Sequence, residues 1–153
     1  MTRRQLLIAL MSAPAGLLAY QALEASRRRI EVNLVVATDG DLLAFKPIEL
    51  SCPTGALVHL TFFHTGKYIR QEHDWVLTLP GAADAVAQAG LLAGESAGYV
   101  PKGDRRVLAA TALCGKGQQV SVDFVAPAPG DYPFICTYPG HVAFMRGVLH
   151  VTA

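Results

Sequence analysis

The chain has 153 residues, 52% of them hydrophobic and 16% charged, which excludes a disordered polypeptide and supplies one domain with a real core. The formal net charge is +1, but five of the 13 basic residues and one of the 12 acidic ones lie before residue 30. The remainder is therefore net acidic and offers no basic face for nucleic acid.

Arg3 and Arg4 precede a stretch from Gln5 to Leu23 that carries no charge and is rich in Leu, Ala and Ile. A basic head followed by an apolar run reads as a secretory signal or an N-terminal membrane anchor. Thr2-Arg3-Arg4-Gln5-Leu6-Leu7 partly matches a twin-arginine export signal. As a helix the run would be roughly 28 Å long, near the thickness of a bilayer core, with Pro14 interrupting it. The expected division is a signal or anchor over 1–25, a basic linker over 26–29 and one folded domain over 30–153. That domain is expected in the periplasm, free or tethered to a membrane through residues 5–23.

From Ile30 onward the pattern is β. Ile30–Ala37 is β-branched and closed by the turn cluster Thr38-Asp39-Gly40-Asp41. Leu42–Phe45 and Pro47–Leu50 follow, ended by Ser51-Cys52-Pro53-Thr54-Gly55. Leu57–Phe63 places Leu57, His59, Thr61 and Phe63 on one face and Val58, Leu60 and Phe62 on the other. Asp74–Leu79 is the next strand. Residues 82–99 break the pattern: Ala-rich, with Gly at 90, 94 and 98, they predict a short helix and loop inserted between strands. Val107–Leu113 resumes strand character. Val120, Val122 and Phe124 then alternate with Gln119, Ser121 and Asp123. Asp131–Ile135 and Gly147–Thr152 complete the series. Short strands at regular turn spacing predict an all-β sandwich.

Between the last two strands runs Cys136-Thr-Tyr-Pro-Gly-His141-Val-Ala-Phe-Met145. It offers a thiolate, an imidazole and a thioether on one short loop. Soft sulfur donors combined with imidazole select copper, and a His₂Cys plane with a weak axial Met is an electron-transfer ligand set. The loop holds one His. The second is expected to be His73, 63 residues before Cys136, delivered from another strand. Zinc is the rival metal, but Met is not among zinc's usual donors. Other expectations are plainer: His59 and His150 are surface or interface residues, and Trp75 belongs to the core. Three cysteines leave an odd thiol in an exported chain. If Cys136 holds metal, Cys52 and Cys114 remain as candidates for a disulfide.

The loop, with Gly147 behind it, resembles the copper loop of the azurins, within the cupredoxin family. His64-Thr-Gly66, His73-Asp-Trp75-Val-Leu77, Tyr99-Val-Pro and Arg106-Val-Leu-Ala-Ala-Thr111 fall in the same order as in azurins, so the likeness spans about 42–153. It implies a Greek-key sandwich of about eight strands. It further implies one copper held by His73, Cys136 and His141 in a plane with Met145 axial, and a structural, non-binding role for His64 near the site. The implied role is shuttling of single electrons between redox proteins such as cytochromes, a reductase or an oxidase, without substrate turnover. A loop without a second Cys argues against a dinuclear copper centre. Ile135 and Thr137 flanking Cys136 argue against a multicopper oxidase. A copper chaperone or storage protein is the other reading, disfavoured by only 3 Met. Where azurins have Gly before the first His ligand this chain has Glu72, and where they usually have Asn after it this chain has Asp74. A carboxylate there can still accept backbone N–H bonds and adds negative charge near the copper.

Overall fold

Strand β1 (Glu31–Thr38) pairs in parallel with β4 (Leu57–Phe63), which alternates in burial residue by residue as a half-buried strand must. On the far side of β4 lies β7 (Gln119–Val125), antiparallel, and the two-residue β2 (Phe45–Lys46) edges β1. The second sheet runs β3 (Glu49–Pro53), β9 (Arg146–Thr152), β8 (Gly130–Ile135), β5 (Val76–Thr78) and β6 (Val107–Ala110). These elements come from a computed structural model that describes residues 16–18 and 30–153. Apart from residues 16–18, the expected signal or anchor over 1–25, its export motif and the whole basic linker over 26–29 lie outside the described residues. Among the described residues no helix is long and apolar enough to cross a membrane.

The inner faces of the two sheets meet in one core. Val36, Val58, Leu60 and Phe62 from the first sheet face Leu77, Phe134, Leu149 and Val151 from the second. Trp75 lies 5.5 Å from Phe134 and 5.9 Å from Phe124, ring centre to ring centre. Phe45 sets its edge against Phe62 and Phe134. Each such buried side chain contributes about 1.5–3 kcal/mol relative to exposure. Trp75 is core, as its sequence context implied.

Residues 82–99 form α1 (Ala83–Ala93) and a single 3₁₀ turn, Glu95–Ala97. The helix buries Ala83 and Val86 against Val76 and Ile135, on the outer face of the second sheet. Small residues suit this close approach. At Gly90 a Cβ would stand 1.9 Å from the backbone oxygen of Tyr99, so only glycine fits.

The expected sandwich of about eight strands is borne out, with nine among the described residues once the minimal β2 is counted. Two finer expectations need correction. First, β3 runs through Ser51 and Cys52 to Pro53, where the turn-forming composition suggested a stop, because its ladder to β9 continues to Thr152. Second, Cys52 and Cys114 are both free, buried thiols. Cys52 lies by the Gly55 turn that precedes β4, whereas the Cys114 sulfur lies 4.0 Å from the carbonyl of Phe62 at the strand's other end. Seven strand residues span roughly 20 Å, and a disulfide requires Cα atoms within about 7 Å. Cys114 instead donates to the carbonyl of Gln118 at 3.2 Å.

Candidate metal centre

The site lies at the end of the sandwich where β4 finishes and β8 hands over to β9. His73 sits just before β5 and is fixed by a two-way bridge to Cys114: His73 N–H to Cys114 O at 3.1 Å, and Cys114 N–H to His73 O at 2.7 Å. Two residues on, Trp75 N–H donates to Thr111 Oγ1 at 3.0 Å. The segment carrying the histidine is thus tied to 111–114 although it is too short to be a strand.

Cys136 follows β8 directly, and its N–H bonds to the carbonyl of Met145 at 3.1 Å, closing the loop at its neck. Inside, Gly140 adopts φ 83°, a conformation that favours glycine, and lets the chain reverse into a turn. In that turn the N–H groups of Phe144 and Met145 both donate to His141 O at 2.9 Å. Arg146, just beyond Met145, donates to the carbonyl of Val142 at 2.5 Å and pairs with Asp84 of α1. The loop is braced at both ends.

The result is convergence. His73 Nδ1 and His141 Nδ1 lie 3.1 Å apart, and the Cys136 sulfur lies 3.9 Å from the first and 3.5 Å from the second. The three are buried, and their donor atoms all fall within 4.8 Å of one another. Donors each about 2.0–2.3 Å from a shared ion stand about 3–4 Å apart, so the spacing fits a single metal. Two imidazole lone pairs cannot face each other at 3.1 Å without a proton or a cation between them. Met145 is also fully buried at the loop neck.

Protonation fits a closed metal site. Burial, with the neighbouring rings of His141 and His64, pulls His73 down to about 4. Burial lowers His141 as well. The Cys136 thiol is pushed well above its ordinary value by burial and then by the charge of Asp74, while the backbone amides of Asp74 and Tyr138 favour the thiolate. Both rings are therefore ready to donate at neutral pH, and metal entry displaces the thiol proton. Asp74 is raised to about 6 by burial, against hydrogen bonds from Thr137 that favour its ionised form.

These shifts give opposite signs in acid. As pH falls from 6.5 towards 4 the unfolded chain binds a proton that the folded His73 refuses, so the metal-free fold loses stability across that window. Asp74 contributes the reverse: its stabilising protonation is complete below 3.8 and lost as pH rises through about 6. Residue-resolved NMR separates them. In the metal-free protein the His73 ring is expected to remain neutral at pH 5, and a titration midpoint near the ordinary 6.5 would refute its burial.

Other histidines fall where the sequence put them. His64 is buried and structural: Nδ1 accepts the N–H of Gly66 at 3.2 Å, Nε2 donates to Gln71 O at 3.0 Å, and the ring lies 4.7 Å from that of His73. His59 and His150 are partly exposed and pair with Asp123 and Asp131. Three neighbours of the site went unseen in this role. The Tyr138 ring lies tilted against that of His141, centres 4.7 Å apart, Thr111 anchors Trp75, and Cys114 bridges His73. Tyr138 lies within the loop motif and could have been found from it, but the pairings of Thr111 and Cys114 leave no local signal.

A two-sheet sandwich with two imidazoles and a thiol converging at one end, the thiol on the loop between its last two strands, defines a copper-binding β-sandwich protein. Residues 31–152 match the family model described as copper binding proteins, plastocyanin/azurin family, and the chain belongs to that family of blue copper proteins. It is 38% identical over 122 residues to auracyanin-A of Chloroflexus aurantiacus, covering 78% of this chain and 74% of that protein. It is 35% identical over 118 residues to azurin iso-2 of Methylomonas sp. strain J, covering 73% of this chain and 92% of that one. The solved structure of auracyanin A, a "blue" copper protein, superposes with a TM-score of 0.74 at 37% identity, covering 80% of this chain and 99% of that chain. The cofactor is copper.

Proposed function

We propose that this protein is a one-electron carrier of the periplasm, in which His73, Cys136, His141 and Met145 would hold the copper. The observation that carries the reading is the buried meeting of two imidazole nitrogens and one thiol within 4.8 Å, with the buried Met145 tied through its backbone to Cys136 and His141. Bound copper supplies a centre that changes charge by one electron. The chain's part is to hold the donors still: the Cys114 bridge fixes His73, the loop neck fixes Cys136, and the turn from 141 to 145 fixes His141. Donors locked by packing and hydrogen bonds rearrange little on electron arrival, which keeps transfer fast.

His141 is 3% exposed and lies beneath exposed Pro139, Gly140, Ala143 and Phe144, the last 69% exposed. This apolar skin around a ligand ring suits brief docking by a redox partner such as a cytochrome, a reductase or an oxidase, since transient redox encounters use small interfaces. The segment 5–23 would either be removed on export or tether the domain to the membrane.

Adding Cu(II) to the metal-free protein tests the reading. An intense blue colour near 600 nm (roughly, as the ligand set implies) is expected, whereas a colourless oxidised protein would favour the chaperone or storage alternative. His141→Gly is expected to slow electron exchange with a soluble one-electron partner at least about tenfold, because docking and electron entry both use this residue. Thermal unfolding of the metal-free variant should move far less. Equal exchange rates in variant and parent would exclude this route.

A further inference from the structure

The loop 66–71, between β4 and the segment that carries His73, is pinned at two levels. At its base the buried His64 ring takes both ends, accepting the Gly66 N–H at 3.2 Å and donating to the Gln71 carbonyl at 3.0 Å. At its tip one oxygen of Asp41, on the turn after β1, accepts the N–H groups of Lys67, Tyr68 and Ile69 at 2.8, 2.9 and 3.2 Å. The Tyr68 N–H above all, with those of Ile69 and Lys67, holds the Asp41 carboxyl below its usual range, and Lys116 adds to this. The Asp41 charge is thus spent on backbone donors. Lys67 and Arg70 point to solvent, and Tyr68 is 84% exposed, so the fold gains nothing from them. Exposed Lys116 joins this corner, because Gly117 N–H donates to His64 O at 3.0 Å and sets its turn beside the loop. Among the described residues Lys46, Arg106 and Arg146 pair with carboxylates, whereas Lys67, Arg70 and Lys116 do not. Glu72, the other carboxylate here, is half-buried and lies against Gly115. Without the five basic and one acidic residues before 30, the chain keeps 8 of its 13 basic and 11 of its 12 acidic residues. Three cations at one corner therefore oppose the sign of the domain. The corner also flanks the metal site: the His64 ring lies 4.7 Å from that of His73, which lies 4.8 Å from that of His141.

We propose that Lys67, Tyr68 and Arg70, with Lys116 beside them, form a docking surface for an acidic face on the protein's redox partner. The inference rests on the carrier reading above and names the partner's chemistry. Cations at this corner steer and orient a negative face. Tyrosine and arginine are the side chains that interfaces favour. A loop already held in one shape by His64 and Asp41 loses little freedom when a partner seats on it. The partner then covers the His73 flank and reaches the apolar skin above His141. One electron passes from the reduced protein to the oxidised partner, and no bond forms or breaks.

Oxidation of the reduced, copper-loaded full chain by hexacyanoferrate(III), an anion that becomes hexacyanoferrate(II), reads the charge. At roughly 0.05 M ionic strength Lys67→Gln combined with Arg70→Gln is expected to slow this reaction at least about fivefold, and at roughly 0.5 M less than about twofold, because salt screens exposed charges. Ala128→Glu combined with Thr152→Glu makes the same change in net charge by the 54–55 turn, at the other end of β4. That end is roughly 20 Å away, so the rate should change less than about twofold. Both paired variants should keep the parent's visible band. At low ionic strength an acidic soluble cytochrome is expected to take electrons faster than a basic one of similar potential, although the domain's net charge favours the reverse. Tyr68→Ser should slow the acidic cytochrome at least about threefold and leave hexacyanoferrate(III) within about twofold, which separates a protein face from a free anion. A further readout needs no copper. In NMR spectra of the metal-free protein, redox-inert hexacyanocobaltate(III) should shift the amides of 66–71 and 115–117 above all others. Equal slowing by the two paired variants, faster exchange with the basic cytochrome, or an unmoved Tyr68→Ser overturns the proposal. A colourless parent overturns the carrier reading and this inference together. A blue parent whose amide shifts centre elsewhere overturns the inference alone.

Discussion

Gly147→Ala is expected to destabilise the protein by about 3 kcal/mol or more, at the upper end of what overpacking a core costs. A Cβ at this position would lie 2.1 Å from Phe134 Cζ and 2.4 Å from its Cε2, and 2.5 Å from the backbone oxygen of Ile48. Phe134 cannot retreat, because its ring is fully buried between Trp75 and Phe45. Ile48 O cannot move freely either, since it accepts the N–H of Val148 at 2.8 Å and sets the start of the β3–β9 ladder. Relief must come from β9 itself. β9 begins at Arg146, one residue after Met145, so any shift there pulls on the neck of the copper loop. A fall in melting temperature of roughly 10 °C should therefore appear together with a changed visible spectrum in the copper-loaded variant. If the melting temperature falls but the spectrum holds, strand and site are less tightly coupled than the hydrogen bond from Cys136 to Met145 implies. An unchanged melting temperature would contradict the packing.

Gly147 also shows what the sequence could and could not disclose. Its place behind the loop was visible as part of a motif, but the reason it must be glycine is a phenylalanine 13 residues earlier on the neighbouring strand. Local order was legible. The alternation in 57–63 and 119–125 matches the burial of β4 and β7, and the loop spacing from Cys136 through His141 to Met145 survives in the turn that bonds His141 to Met145. The partner His73 was legible mainly through the likeness to azurins, since nothing in its neighbourhood announces a ligand.

What failed to show was pairing. β3 persists through Cys52 and Pro53 because β9 lies beside it, a contact between residues about 100 positions apart that composition cannot register. The same blindness made Cys52 and Cys114 look like partners by elimination, when β4 holds them at opposite ends. Asp74 is the converse case. A departure from the usual residue was visible in the chain, but that its side chain is buried with both oxygens bonded to Thr137 required coordinates.

Cys136→Ser is expected to remove the chemistry while leaving the fold. The serine hydroxyl does not ionise near neutral pH, so the one soft anionic donor of the set is lost and the two imidazoles remain. Substitutions that touch a metal only through its ligands typically weaken binding 10–100-fold, so loss of the thiolate itself should exceed about 100-fold. The apoprotein should suffer little. A hydroxyl is smaller than a thiol, and the backbone amides of Asp74 and Tyr138 that face the sulfur are placed to bond an oxygen. The cost is then about 1–2 kcal/mol, the usual price of a modestly mismatched buried polar group. Copper-dependent stabilisation separates the two effects. At a free copper concentration about 1,000 times the parent's dissociation constant the parent gains about 4 kcal/mol, and a 100-fold weaker variant gains only about 1.4. Melting curves with and without copper should therefore split widely for the parent and narrowly for Cys136→Ser, with no blue band in the variant. A variant that kept the full copper-dependent rise, or its colour, would mean that the metal is not held by this sulfur.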